Sequence, residues 1–215
     1  ARHEEHARRE GQSARLEVRF LVRPDGLRAL HWAQRSLEPL PVHKVQQNLP
    51  AGEDIQGWLF HAESGHCEAA WRHLTRDNPF PAIMRRVCYH SCEGACNRAR
   101  LDAAVGINSV ERFLGDEAIK RGWRFEPPAL ESGQRVLIVG AGPSGMSAAY
   151  HLRRLGHQVT VMEAGPLMGG MMRFGIPQYR LPRDVLDAEM QRIVAMDVRV
   201  ELRRKVERIE EAMEG

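Results

Sequence analysis

Residues 135–163 read RVLIVGAGPSGMSAAYHLRRLGHQVTVME, and the fold of the chain turns on how this stretch is read. Val136, Leu137, Ile138 and Val139 form a short unbroken apolar run with β-branched members, as expected of a strand buried on both faces of a parallel sheet. Gly140, Gly142 and Gly145 follow at once in G-x-G-x-x-G spacing. The first glycine permits a tight turn, the second lets backbone approach a pyrophosphate, and the third lets the next helix close on the strand. The phosphate then meets unpaired N–H groups at the helix N-terminus. The pattern predicts that helix from about Ser144 to Leu155, with Gly156 placed to stop it, and a second strand over 158–162. Glu163 ends the second strand a little over twenty residues after the first glycine, where a carboxylate accepts hydrogen bonds from adenosine ribose hydroxyls. The glycines alone would be weak evidence. Strand, glycines, helix, strand and acid in one register predict a dinucleotide-binding unit.

Composition bounds what surrounds this unit. The chain has 215 residues, enough for two small domains, with a net charge of +3 and 27% charged residues. That mixed-sign surface gives no reason to expect a nucleic-acid partner. No apolar run is long enough for a membrane span, and the opening ARHEEHARRE has no apolar signal core, so the expected location is cytoplasmic. Three of the four cysteines fall within nine residues, which suits a metal centre in a reducing compartment better than a disulfide framework.

Upstream of the glycines, residues 1 to about 15 read as a polar tail, 16–22 (LEVRFLV) as a short strand and 27–37 as a helix. Helices are expected over 55–62 and 66–74, the second presenting Cys67, Ala70, Trp71 and Leu74 on one apolar face. A lone cysteine in such a stripe is more often a packed small side chain than a ligand. Cys88, Cys92 and Cys96 then stand at C-x3-C-x3-C, bringing soft thiolates together within one or two turns, as the irons of a cubane cluster require. Zinc and plain buried thiols remain alternatives on this pattern, although structural zinc sites favour C-x2-C pairs and a visible fourth ligand. Residues 105–118 form an amphipathic helix with Ile107, Val110, Phe113 and Leu114 inward, and 123–133, with Pro127 and Pro128, reads as a linker.

Taken together, NPFPAIMRRVCYHSCEGACNR, VGINSVERFLGDEAIKRGW, the glycine unit and GGMMRFGIPQYRLPRDVL closely resemble the glutamate synthase small subunit family, over roughly residues 45–210. Relatives of that family include the N-terminal half of dihydropyrimidine dehydrogenase. The resemblance implies an α-helical iron-sulfur domain followed by a partial α/β doubly wound, Rossmann-like FAD-binding domain. The expected division is an N-terminal extension over 1–44, the iron-sulfur domain over 45–126, a linker over 127–134 and the first part of the FAD domain over 135–215. It makes the dinucleotide FAD, held at its pyrophosphate by Gly140, Gly142, Pro143, Ser144 and Gly145 and at its ribose by Glu163. Gly170 and Met171 match the family's Gly-Gly-x turn beside the flavin, Arg180 an arginine that touches the cofactor, and Val206 an aliphatic residue near the adenine. Taken only as residues, Met168, Met171 and Met172 could be core filler and Arg180 a surface group.

Two departures from the family stand out. Its first cysteine quartet is absent here, so a single [4Fe-4S] cluster is expected on Cys88, Cys92 and Cys96, with Glu111 favoured over Cys67 as the fourth ligand. The chain also ends soon after a helix over 183–196, a third strand over 198–202 and a charged helix over 207–215, so further strands and an NAD(P)H site are expected beyond Gly215. The implied function is an electron-transfer flavoprotein subunit that passes electrons from NAD(P)H through FAD and the cluster to a larger electron-accepting or catalytic partner subunit. A non-catalytic iron-sulfur adaptor and a zinc-containing dinucleotide dehydrogenase are the alternatives from other classes. No acid-base or nucleophile constellation is present, in keeping with chemistry carried by cofactors.

Overall fold

The computed structural model describes residues 52–128 and 130–213. The expected tail over 1–15, strand over 16–22, helix over 27–37 and most of the N-terminal extension lie outside them. The described chain divides into two compact units, one made of residues up to His73 together with His90–Ile107, the other of Leu74–Tyr89 and Asn108 onward.

In the first unit, α1 spans Ile55–Glu63. Its N-cap Asp54 accepts a hydrogen bond from the Gly57 amide at 3.0 Å, satisfying one of the orphan donors that every helix start leaves. Ile55, Trp58 and Ala62 recur at helical spacing and are buried. Helix α2 (Cys67–Leu74) buries Ala70 and Trp71, while Cys67 is only half-buried. A short helix α4 (Ser91–Gly94) and a 3-10 turn over Asn97–Arg100 also belong to this unit, and both Cys92 and Cys96 are buried in it.

The second unit is built on three parallel strands in the order β1-β2-β3: Arg135–Val139, Gln158–Glu163 and Arg199–Leu202. Ile138 pairs with Val161 and Val161 with Val200, so the apolar positions stay in register across the sheet. Helix α6 (Pro143–Arg154) connects β1 to β2, and α7 (Met171–Phe174) and α8 (Arg183–Val194) connect β2 to β3. Parallel pairing requires such crossovers. The core joins Met146, Ala149 and Tyr150 of α6, Val159 and Val161 of β2, and Leu186, Met190 and Ile193 of α8. A final helix α9 spans Ile209–Met213.

Strand β1 differs from the expectation of burial on both faces. Val136 to Ile138 are half-buried and Val139 is 54% exposed. The reason is positional: β1 is an edge of the three described strands, with β2 on one side only.

Upstream of the glycines, one helix joins this second core and another packs on that helix. Helix α3 (Pro81–Val87) places Ile83 among the core residues, and its N-terminus is capped from a distance. Its own N-cap, Phe80, supplies no side-chain hydrogen bond. Glu189 of α8 does so instead, accepting from the Ala82 amide at 3.1 Å and the Ile83 amide at 2.9 Å. Helix α5 (Ile107–Arg121) packs so closely on α3 that a Cβ at Gly115 would lie 2.4 Å from the Ala82 nitrogen. Residues 123–128 and 130–133 are irregular yet fastened: the Arg192 Nε donates to the Trp123 carbonyl at 3.0 Å, and the Phe125 ring lies 4.6 Å from that of Tyr150. Arg153 of α6 forks onto Glu131 at 2.7 and 2.8 Å.

Candidate functional site

The glycine loop is formed as its spacing requires. Gly140 has φ +99°, a conformation that side chains rarely adopt, and its amide continues the ladder to the Met162 carbonyl at 2.8 Å. A Cβ at Gly145 would fall 1.9 Å from the Gly140 carbonyl oxygen, so only glycine lets α6 start this close to β1. Gly142 is the N-cap of α6 and, like Pro143, brings no side-chain cap, which leaves the first-turn amides at Ser144 and Gly145 for a ligand. Ser144 is exposed beside them.

Glu163 reaches back to this loop. Its Oε2 accepts from the Ala141 amide at 2.7 Å and its Oε1 from the Gly165 amide at 2.6 Å. A carboxylate has about four lone-pair sites, so two bonds leave capacity for hydroxyl donors. The Gly169-Gly170 turn is tied to the same place: the Gly169 amide donates to the Ala141 carbonyl at 2.8 Å. Gly170 has φ +47°, and a Cβ there would meet the Gly142 Cα at 2.9 Å, so two glycine backbones face one another with no side chain between them. The structure thus brings Gly140, Gly142, Pro143, Ser144, Gly145, Glu163 and Gly170 into one cradle.

The remaining expected positions lie around it. Met171 is 72% exposed and follows the turn, whereas Met172 is buried in the core and Met168 is half-buried against it, so core filling describes the second and third of these and not Met171. Arg180 is exposed, its Nε 3.5 Å from the Arg86 carbonyl. Val206 is half-buried in the loop after β3. Arg183, which sequence reasoning passed over, fixes the segment after the turn by donating to the carbonyls of Met172, Ile176 and Leu181 at 2.7 to 3.2 Å.

All four cysteines are free thiols. Among the described residues no group of three or more His, Cys, Asp or Glu side chains stands ready as a metal site. Cys88 follows the last residue of α3, its amide donating to the Met84 carbonyl at 2.8 Å. Glu111 of α5 is fully buried. The Asn78 amide group donates to Glu111 Oε1 at 2.8 Å, and Arg85 pairs with Oε2. The same guanidinium donates to Cys88 Sγ at 3.5 Å. Arg85 thereby joins Cys88 to Glu111, the two expected ligands in this unit. A soft thiol, a buried carboxylate and a buried cation that offsets their negative charge are side chains of the kind an iron-sulfur ligand sphere uses. Arg85 was not singled out in the sequence, although the basic pair Arg85-Arg86 just before Cys88 was visible there.

Comparison with known proteins agrees with both halves. Residues 23–123 match the dihydropyrimidine dehydrogenase domain II, 4Fe-4S cluster family, and residues 138–202 match the NAD(P)-binding Rossmann-like domain family. The chain is 34% identical to the NADP(+)-dependent formate dehydrogenase subunit beta of Moorella thermoacetica, over 93% of this chain and 32% of that protein. It is 36% identical to the glutamate synthase [NADPH] small chain of Bacillus subtilis, over 64% of this chain and 28% of that one. It is 37% identical to the NAD-dependent dihydropyrimidine dehydrogenase subunit PreT of Escherichia coli, over 72% of this chain and 37% of that protein. The chain therefore spans about a third of the length of these relatives. With a helical 4Fe-4S domain first and a parallel Rossmann-like sheet second, the chain belongs to the glutamate synthase small chain family of redox proteins.

Proposed function

We propose that this chain is the cluster-bearing and FAD-binding part of an NAD(P)H-dependent oxidoreductase subunit that delivers electrons to a larger partner subunit. When bound, FAD supplies hydride acceptance and single-electron release, and a [4Fe-4S] cluster supplies one-electron carriage. Everything else is the work of the protein. Gly140, Gly142 and Gly145 keep side chains out of the phosphate approach, and the α6 amides at Ser144 and Gly145 supply donors to negative charge. Glu163 orients a ribose while bracing the loop through Ala141. Gly170 and Met171 would flank the flavin ring, Arg180 would contact the cofactor, and Val206 would lie toward the adenine.

Cys88, Cys92, Cys96 and Glu111 ligate the cluster in this reading. The location in this reading is cytoplasmic, where thiols stay reduced. No helix among the described residues is long and apolar enough to cross a membrane.

The observation that carries the flavin assignment is the bond from the Gly169 amide to the Ala141 carbonyl, which sets a second glycine turn over the first. A nucleotide site holding phosphate alone has no need of that second turn. The test uses the full-length protein purified without oxygen, with and without Cys92→Ser. The expected result is flavin in both, reduced by NADH or NADPH, with the iron signal lost only in the variant. Iron unchanged by Cys92→Ser, or a metal content of zinc alone, would contradict the cluster assignment; absence of flavin would contradict the cradle.

A further inference from the structure

Arg85 is an unusual residue to find inside a protein. It lies on α3, the helix that carries Cys88, and its side chain is 3% exposed. A buried guanidinium is costly unless it is paired and hydrogen-bonded. Here it is both, and its partners are specific. Glu111 supplies the opposing charge, Asn78 holds the far oxygen of that carboxylate, and the remaining arm donates to the Cys88 sulfur at 3.5 Å. The backbone of Arg85 is fixed as well: its carbonyl accepts from the Asn108 side-chain amide at 3.1 Å. The charge on Arg85 therefore has little freedom to turn away from the sulfur.

We infer that Arg85 is the positioning residue that sets the reduction potential of the metal centre ligated by Cys88. This rests on the iron-sulfur reading above. Groups next to the ligands orient them and tune the metal, and hydrogen bonds to ligating sulfurs are among the factors that set a cluster's potential. Reduction adds one negative charge to the centre. A fixed cation donating to a ligating sulfur stabilises the reduced form more than the oxidised form, so it raises the midpoint potential. Glu111 offsets part of this effect and Asn78 keeps Glu111 in place, which makes the three residues one tuning device.

The test is a dithionite titration followed by electron paramagnetic resonance on the full-length protein, unsubstituted and as Arg85→Met and Arg85→Lys. Arg85→Met should retain iron and lower the midpoint by at least about 59 mV, a tenfold fall in the ratio of reduced to oxidised centres at fixed potential. Arg85→Lys, which keeps the charge but loses the fork, should fall between. A midpoint unchanged in Arg85→Met, with iron retained, overturns the inference while leaving the cluster assignment intact. Should both variants fail to fold, the unsubstituted protein decides. With arginine labelled by nitrogen-15, hyperfine spectra of the reduced centre should show coupling to the label, and absence of that coupling overturns the inference. A full-length protein without iron overturns the proposed function itself, a result distinct from either of these.

Discussion

Replacing Gly145 by alanine and Gly142 by alanine separates what the glycine loop does for the fold from what it does for a ligand. At Gly145 the added methyl would stand 1.9 Å from the Gly140 carbonyl oxygen and 3.3 Å from Ile138 Cγ2. Both neighbours are held, the oxygen by backbone and the methyl by the sheet, so α6 must move off β1. Overpacking of this kind costs about 1–3 kcal/mol, which for a protein of this size lowers Tm by about 2–12 °C. At Gly142 the nearest atom to the added methyl is the Gly170 Cα at 3.9 Å, and φ is −79°, which alanine adopts freely. Gly142→Ala should therefore melt like the unsubstituted protein while losing at least about tenfold in flavin affinity, equivalent to about 1.4 kcal/mol. The assays are thermal unfolding by circular dichroism on the flavin-free protein and fluorescence titration with FAD. An unshifted Tm for Gly145→Ala would refute the claim that only glycine fits beneath α6. Unchanged FAD affinity for Gly142→Ala would refute the claim that this glycine clears the approach.

Other expectations follow from two acids, Glu189 beneath α3 and Glu163 beside the glycine loop. Burial pushes the Glu189 carboxyl up from 4.5 to about 7, against the opposing pull of Arg192 and the amides of Ile83 and Ala82. The folded protein thus holds this proton more tightly than the unfolded chain, so its contribution to stability is complete below pH 4.5 and is lost as pH rises through about 7. In Glu189→Gln that slope should flatten in denaturant unfolding measured across the same range. The variant should also lose about 1–3 kcal/mol, because an amide cannot accept from both Ala82 and Ile83. Glu163→Gln should weaken dinucleotide binding by about tenfold or more in the same FAD titration, since one of the two amides it accepts from loses its partner. An unchanged affinity would separate Glu163 from the site.

How far the fold could be read beforehand depended on distance along the chain. The β1-α6-β2 unit was legible because its signals are local: an apolar run, three glycines at fixed spacing, a helix with a glycine stop and an acid at the end of β2. Helices α1, α2, α5 and α8 fell close to their expected places for the same reason, their apolar stripes having the helical period. What was not legible came from long-range pairing. Nothing near Pro81 announces that its helix is capped by Glu189, more than a hundred residues later. Nothing in the proline-containing segment shows that Phe125 meets Tyr150. Cys88 was visible as a ligand type, but Arg85 became interpretable only once Glu111 and Asn78 were seen around it. The apolar run of β1 promised burial on both faces, and its exposure is set by which strands stand beside it rather than by its own residues.

The central claim is that one subunit of this family places a flavin and an iron-sulfur cluster in a single electron path. The most direct test is to measure flavin, iron and acid-labile sulfide in the full-length protein purified without oxygen, then add NADH or NADPH and record the electron paramagnetic resonance spectrum. The account predicts FAD together with four irons and four sulfides per cluster, and a reduced-cluster signal once nicotinamide is added. FAD without iron, or iron that stays oxidised while the flavin is reduced, would contradict it.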